Sequence, residues 1–159
     1  MSRSLGPTLP DALLARLLAD PGERADQAVV LVTVDPYGWP HPALVSYAEL
    51  LALDASRMRL GLHPGTRSAT HLRDSGRATL VFADAELCCY VKAEAVSLEA
   101  ARDASDLARF ELQVRDVLAD RAEGEEAGAH LVGGITFRLP GGAARWAERS
   151  ARIRRALGA

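Results

Sequence analysis

The chain has 159 residues, of which 48% are hydrophobic and 25% are charged, and its net charge at pH 7 is −2. This length fits a single domain, 1–159, whose core needs neither a disulfide nor a metal for stability. The negative charge argues against a general nucleic-acid binder, and no apolar run approaches the ~20 residues of a membrane span, so we expect no nucleic-acid or membrane partner.

Residues 1–22 predict an N-terminal arm followed by a short packing helix. The arm, 1–7, lacks the apolar segment of a signal peptide. From Thr8 to Asp11 the sequence has the pattern of a helix start, with Pro10 inside the first turn. One apolar stripe at helical spacing follows, made of Leu13, Leu14, Leu17 and Leu18.

The next two predicted strands flank a tight turn. Ala28 to Val34 is β-branched and almost wholly apolar, which is typical of a strand buried on both faces. Asp35 to Gly38 has the residues of a type I turn, so an antiparallel partner should follow. Pro40 and Pro42 cannot donate to a ladder, which predicts that this partner starts irregularly or lies at a sheet edge. The segment 48–53 fits helix or strand, and we interpret it as an extension of the second strand.

A strand, a glycine turn and a capped short helix follow one another over residues 57–76. Apolar and polar residues alternate over 57–62, as in a strand with one buried face. Pro64-Gly65 then turns the backbone, and Thr66 is a good N-cap because its hydroxyl can accept a backbone N–H. Ser75-Gly76 supplies a left-handed helix stop.

The beginning of this helix is a candidate anion site. The first N–H groups of a helix are unpaired, and the helix dipole places partial positive charge there. Arg67 adds a guanidinium that suits phosphate oxygens, and hydroxyls are added by Thr66, Ser68 and Thr70. On local sequence alone, a capped surface helix with a solvated arginine is the more common explanation.

The rest of the chain predicts two further strands, an ambiguous segment, a last strand and a helix. Segments 78–83 and 87–96 predict strands, the second facing inward with Leu87, Cys89, Val91, Ala93 and Ala95. The charged segment 102–126 fits a helix by one stripe and a strand by another, and its composition favours a helix. Paired glycines suggest a bend in a strand over 131–139. A C-terminal helix over 143–159 has an arginine-rich face, for which solvation is a simpler explanation than contact with nucleic acid or lipid.

Two adjacent cysteines, Cys88 and Cys89, bear on the cellular compartment. Neighbouring side chains of a strand point to opposite faces, so we predict that these two thiols do not bond to each other. A reduced, cytoplasmic protein is the simplest explanation.

Val29 to Asp84 resembles the FMN-binding split barrels of the pyridoxamine 5′-phosphate oxidase-like family. The usual pattern of that family at the strand–turn–helix is Gly-Ser-Arg-Lys, two further residues, and Asn-Leu. This chain has Gly65-Thr66-Arg67-Ser68, two residues, and His71-Leu72, so the glycine, hydroxyl, arginine and leucine match. Ser68 stands where lysine is frequent, and His71 stands where asparagine is frequent.

This resemblance implies a fold, a cofactor and a partner. The fold is mostly β with helices (α+β), a six-stranded antiparallel split β-barrel over residues 28–139, and the chain would form a homodimer with FMN between the subunits. A deazaflavin or haem is the less common cofactor. The resemblance implicates Thr66, Arg67 and Ser68 in phosphate binding, and it places near the flavin ring His41, Val45, Ser46, Leu62 and His63. For His41, a surface histidine beside the turn is an equally good explanation.

The function implied is that of an FMN-dependent oxidoreductase with unknown substrate. No triad, carboxylate pair or metal-spaced cluster stands out, so the sequence identifies no catalytic residue and no metal site. The alternatives are a non-catalytic flavin- or haem-binding module, a barrel that has lost its cofactor, and a purely structural dimer. Ser68 in place of the usual lysine favours the first two of these alternatives.

Overall fold

One antiparallel sheet and three α-helices account for the regular structure of residues 2–98 and 106–158, the part of the chain that the computed structural model describes. The strands are β1 (Ser2–Ser4), β2 (Ala28–Val34), β3 (Pro40–Ser46), β4 (Leu50–Ala52), β5 (Arg57–Leu62), β6 (Arg77–Ala83), β7 (Cys88–Leu98) and β8 (Ala108–Asp120). The helices are α1 (Asp11–Leu18), α2 (Arg67–Ser75) and α3 (Gly142–Leu157).

The order of the strands, β3-β2-β6-β7-β8-β5-β4, explains how the sheet closes. β3 and β4 lie at opposite ends of this order, yet they are consecutive in the chain and are joined by one 3₁₀ turn, Tyr47–Glu49. A flat sheet cannot meet both conditions, so the sheet curls until its two ends approach each other. The predicted α+β split-barrel fold is confirmed.

The sheet has eight strands rather than the six expected. The predicted arm contains β1, which pairs with the last residues of β8. Segment 48–53, interpreted as an extension of the second strand, contains a separate strand, β4, because the 3₁₀ turn interrupts the ladder. The eighth strand, β8, occupies the segment for which a helix was favoured.

β8 therefore overturns the helix favoured within 102–126, of which residues 102–105 lie outside the described residues. It pairs with β7 along its length and with β5 over its first half, and these pairings override the local helix propensity. A β-bulge at Lys92/Ala93 sets Lys92 opposite Asp116 and Ala93 opposite Val114. The extra residue of the bulge, Arg115 of β8, shifts the alternation of inward-facing and outward-facing side chains by one position. As a result the buried Phe110, Val114 and Val117 fall at helical spacing although they belong to a strand.

The strand predicted over 131–139 does not form, so the barrel strands end at Asp120 and not at 139. One isolated bridge, Gln27 to Thr136, is the β pairing of this segment within the described residues. β2 already has β3 and β6 as neighbours, so no ladder is open to a further strand at this place. Gly134 nevertheless lies tightly against the sheet, because a Cβ on it would stand 2.6 Å from the carbonyl oxygen of Ala83.

β2 is buried on one face only, which corrects the expectation of two buried faces. Val29, Leu31 and Thr33 point into the core, while the residues between them are half-buried. The outer face of β2, β3 and β6 is consequently an apolar surface, here named the β2–β3–β6 face. Its apolar members are Val30, Val32, Val34, Pro40, Pro42, Leu44 and Val81, and the polar Thr79 lies on the same face opposite Val32.

Helix α3 is fastened to α1 by a buried arginine. Arg154 is 8% exposed, and its guanidinium donates to four backbone carbonyls at 2.7 to 3.1 Å. Three of them, on Leu17, Leu18 and Ala19, end α1, and the fourth belongs to Leu50 of β4. Desolvation by burial lowers the pKa of Arg154, and the negative end of the α1 dipole compensates the buried charge.

An ion-pair cluster joins α1 to the residues that follow β6. Arg16 donates to Asp84 at 2.7 Å and to Glu86 at 2.6 Å. Burial of Asp84 works against its ionisation. The hydrogen bonds from Arg16 and from the backbone of Glu86 outweigh that burial, so the pKa of Asp84 lies below its ordinary value.

Candidate functional site: the β5–α2 turn

The candidate site begins where β5 ends, and its turn is held by hydrogen bonds to His63. The backbone N–H of Thr66 donates to the His63 carbonyl at 3.1 Å, and the Thr66 hydroxyl donates to the same oxygen at 2.9 Å. The Thr66 hydroxyl also accepts the N–H of Ala69 at 3.3 Å, so the predicted N-cap is confirmed. Both functions of this hydroxyl are therefore used in shaping the turn.

Two backbone donors and one guanidinium at this turn have no partner in the described part of the chain. The N–H groups of Arg67 and Ser68 belong to the first turn of α2, and no acceptor faces them. The Arg67 side chain is exposed and makes no hydrogen bond or ion pair with a described residue. No acidic residue occupies this first turn either. The turn thus presents three donors and a full positive charge to solvent.

The other predicted members of the turn differ in access. Ser68 is 4% exposed and Leu62 is 6% exposed, so their side chains face inward. His63 is exposed, and its Nδ1 accepts the N–H of Gly65 at 3.3 Å. That bond assigns the proton of the neutral ring to Nε2, which leaves Nε2–H as a donor toward solvent.

The three predicted residues of β3 are spread along the strand. His41 lies near its start, whereas Val45 and Ser46 lie at its end, about 14 and 17 Å further along at ~3.4 Å per residue. Val45 is 4% exposed and belongs to the core. Ser46 is 6% exposed and forms a capping box with Glu49, whose carboxylate accepts from the Ser46 N–H at 2.7 Å and from its hydroxyl at 3.1 Å.

His41 connects β3 to α2 through a contact that the sequence did not reveal. Its ring meets the ring of His71 edge to face, with centroids 4.9 Å apart. The Nδ1 of His71 lies 3.2 Å from the hydroxyl of Thr33, which is fully buried. The Thr33 hydroxyl donates to the His41 carbonyl at 3.4 Å, so it accepts from His71 Nδ1–H. A threonine inside the apolar strand β2 was the signal that could have predicted this network.

Three further observations concern the two thiols, the grouping of metal-binding side chains and the apolar character of the helices. Burial raises the pKa of Cys89 to about 12, so its thiol stays protonated at neutral pH. Cys88 and Cys89 are both free thiols. No cluster of three or more His, Cys, Asp or Glu side chains could hold a metal ion within 2–98 and 106–158. In the same ranges, no helix is both long and apolar enough to cross a membrane.

Comparison with known proteins places the chain in a family. No protein-family model matches the chain. Over 118 residues it is 30% identical to the uncharacterized protein YclD of Bacillus subtilis, with 74% of each chain covered.

Solved structures with the same fold have lower sequence identity. A protein from Lactobacillus delbrueckii, provisionally named a pyridoxamine 5′-phosphate oxidase, is 18% identical with a TM-score of 0.60, covering 75% of this chain and 100% of its own. An FMN-binding protein from Syntrophomonas wolfei is 12% identical with a TM-score of 0.50, covering 67% of this chain and 86% of its own. The chain therefore belongs to the same family as YclD, and it is a split barrel of the pyridoxamine 5′-phosphate oxidase-like type.

Proposed function

We propose that this protein binds FMN through the β5–α2 turn and acts as a flavin-dependent oxidoreductase. The observation that carries the proposal is Arg67 at the N-terminal end of α2. A cation at the positive end of a helix dipole is unfavourable, and neither an acidic side chain nor another described residue compensates it. An anion bound at the turn would remove this cost and satisfy the open donors.

The residues of the turn fit a phosphate group, but with fewer donors than the sequence suggested. Arg67 offers a planar fork, and the N–H groups of Arg67 and Ser68 lie beside it. The hydroxyl of Thr66 is already engaged, and the side chain of Ser68 is buried. We therefore expect the backbone and Arg67 to hold the phosphate, with Thr66 acting as the residue that shapes the turn.

For the ring of the cofactor, the described residues divide into side-chain and backbone candidates. His63 offers a free Nε2–H at the turn, and His41 is half-exposed beside His71. Leu62, Val45 and Ser46 are buried, so only their backbone could serve a ligand. When bound, a flavin supplies hydride transfer, while the protein binds it, orients it and excludes water.

A homodimer is part of the proposal and rests on the β2–β3–β6 face. Leu44 is 58% exposed on that face, and Trp39 is 70% exposed at its margin in the β2–β3 turn. Contiguous apolar surface of this kind marks an interface in soluble proteins. Pairing of two copies through this face would bury these side chains, and it would do so on the strand that the family resemblance places beside the flavin.

A cytoplasmic location is proposed from the thiols. Cys88 is half-buried and Cys89 is buried, and neither bonds to the other or to a third cysteine. Free thiols are usual in reducing compartments, whereas secreted proteins of this size commonly form disulfides.

The visible absorbance spectrum of the full-length protein, recorded after incubation with FMN and desalting, tests the proposal. We expect a retained flavin spectrum and at least about tenfold weaker FMN binding by Arg67→Ala. Arg73→Ala, in the last turn of the same helix, is the matched control and should keep the affinity. A colourless protein that retains no FMN would refute the proposal.

A non-catalytic or cofactor-free barrel is the second candidate, and it too is supported by an observation. Two of the three side chains predicted for the phosphate, Thr66 and Ser68, are committed to the fold. Titration with a deazaflavin and with haem, beside FMN, separates these cases. A bound flavin that no nicotinamide donor reduces would favour the non-catalytic module. Failure to bind any of the three ligands would favour the structural dimer.

A further inference from the structure

A cleft of about 810 Å³ opens between α3 and the end of β5, beside the turn but mostly outside it. His63 is the point where the cleft meets the turn, and the opposite wall is the arginine-rich face of α3. Its volume lies in the range of about 300–1,000 Å³ that is usual for small-molecule sites. The cleft is therefore large enough to enclose one small organic ligand.

The charge in the cleft comes from arginines spaced three apart on one face of α3. Arg149 is already committed, because it pairs with Glu49 at 3.3 Å and stacks over the Trp146 ring at 5.0 Å. Arg152 and Arg155 are exposed and have no partner among the described residues.

One carboxylate, that of Asp106, also lines the wall, as does the ring of His63. The second lining carboxylate, that of Glu49, is paired with Arg149, so the two free guanidiniums and the one remaining acid leave an excess of positive charge. The uncommitted groups of the cleft therefore attract an anion.

Helix capping does not explain these two arginines. A cation near a helix C-terminus is favourable, but the last carbonyls of α3 already have guanidinium donors from the barrel. Arg59 donates to Leu157 at 2.8 Å, and Arg109 donates to Ala156 at 3.0 Å. Arg155 is consequently free to bind something else.

The floor of the cleft is apolar. Ile153 and Ala156 directly follow the two arginines along α3, and they are 4% and 9% exposed. A ligand lying on this floor would cover hydrocarbon with its body while its charged end reached the guanidiniums. The site thus combines an apolar surface with bidentate anion donors.

We propose that this cleft binds a small amphipathic anion, an apolar or aromatic body carrying one phosphate, sulfonate or carboxylate, through Arg152 and Arg155. The proposal does not depend on flavin binding. Its ligand would contact the β5–α2 turn at His63 and Pro64 but would leave the proposed phosphate position open, since Arg67 is not part of the cleft wall.

Calorimetric titration of the full-length protein with phenyl phosphate, inorganic phosphate and phenol tests the inference. Phenyl phosphate carries both parts of the ligand, and each of the others carries one. We expect phenyl phosphate to bind at least about tenfold more tightly than either. Equal affinity for phenyl phosphate and inorganic phosphate would overturn the amphipathic site.

Paired variants locate the binding. Arg152→Ala/Arg155→Ala should weaken phenyl phosphate at least about tenfold, whereas Arg138→Ala/Arg145→Ala removes the same charge from exposed positions outside the cleft and should not. Equal losses of phenyl phosphate affinity in the two double variants would contradict binding in the cleft.

FMN titration of the same variants separates this inference from the proposed function. Retained FMN affinity in Arg152→Ala/Arg155→Ala supports a separate site, and a parallel loss of both ligands would overturn it. If no variant and no wild-type protein binds FMN, the proposed function fails while the phenyl phosphate result stands.

Discussion

Arg154 meets the C-terminal end of α1, whereas Arg67 stands at the N-terminal end of α2, so the two arginines experience opposite helix dipoles. Arg154 is buried and donates to four carbonyls; Arg67 is exposed and donates to no described residue. The first arrangement stabilises the fold. The second costs stability unless a ligand arrives. Position relative to a helix end, and not residue type, separates a structural arginine from a candidate binding one.

The largest expected effect comes from removing the structural arginine. Arg154→Met should lower the free energy of unfolding by about 3–5 kcal/mol, because it leaves buried carbonyls without donors. Urea denaturation measures the loss. Arg152→Met, on the exposed face of the same helix, is the control and should change stability by less than about 0.5 kcal/mol. Similar losses of unfolding free energy in the two variants would show that Arg154 has no special structural role.

The Arg16–Asp84 pair extends the comparison to pH. Because the folded pKa of Asp84 is lowered, its contribution is present above the unfolded value of about 3.9 and is lost as pH falls through the folded value. Asp84→Asn should cost about 1–3 kcal/mol at pH 7 and progressively less below about pH 4. Chemical denaturation across this range measures it. Glu86→Gln removes an exposed partner of Arg16 and should cost at most about 1 kcal/mol; a pH-independent deficit in Asp84→Asn would contradict the assignment.

The two ends of α2 differ in how fully the fold determines them. Gly76 ends the helix with φ +62°, where an added Cβ is strained, so Gly76→Ala should cost about 1–2 kcal/mol by thermal or urea unfolding. Gly65, before the helix, has no left-handed φ and has room for a Cβ. Gly65→Ala should therefore be tolerated, within about 0.5 kcal/mol. A larger cost at Gly65 than at Gly76 would show that the turn is the more constrained end.

The smallest effect should have the opposite sign. Arg67→Glu replaces a cation by an anion at the positive end of α2, so it should raise the stability of the ligand-free protein by about 0.3–1 kcal/mol. The same variant should lose FMN binding. Arg73→Glu, in the last turn, should lower stability instead. If Arg67→Glu destabilises the ligand-free protein, then Arg67 serves the fold and the comparison fails.

Much of this fold could be predicted from the sequence where one strand face is buried. Alternation located β5 and β7 to within a few residues, an apolar run located β6, and Thr66 and Gly76 marked both ends of α2. β8 was predicted wrongly because a bulge disguises its alternation. Segment 131–139 has strand residues without an open ladder to join, and only the strand order shows that.

The sequence predicted which residues form the candidate site, but it did not predict which of their side chains are free to contact a ligand. The sequence located Arg67 beside unpaired N–H groups, which the structure retains. It could not show that Ser68 faces inward or that Ser46 is engaged by Glu49, since both depend on packing. His71 was noted only as a departure from a pattern, because its partner Thr33 lies 38 positions away.

The contact between Arg154 and the end of α1 also constrains when the molecule can finish folding. It joins residues 137 positions apart, which makes it among the most non-local contacts the chain can form. During synthesis the carbonyls of Leu17, Leu18 and Ala19 cannot accept hydrogen bonds from Arg154 until residue 154 has left the ribosome. Until then α1 lacks the donors that hold its end, and the barrel wall at β4 lacks its covering helix. Non-local closure of this kind slows folding, so a nascent chain stalled before α3 would be the form most exposed to proteases and chaperones.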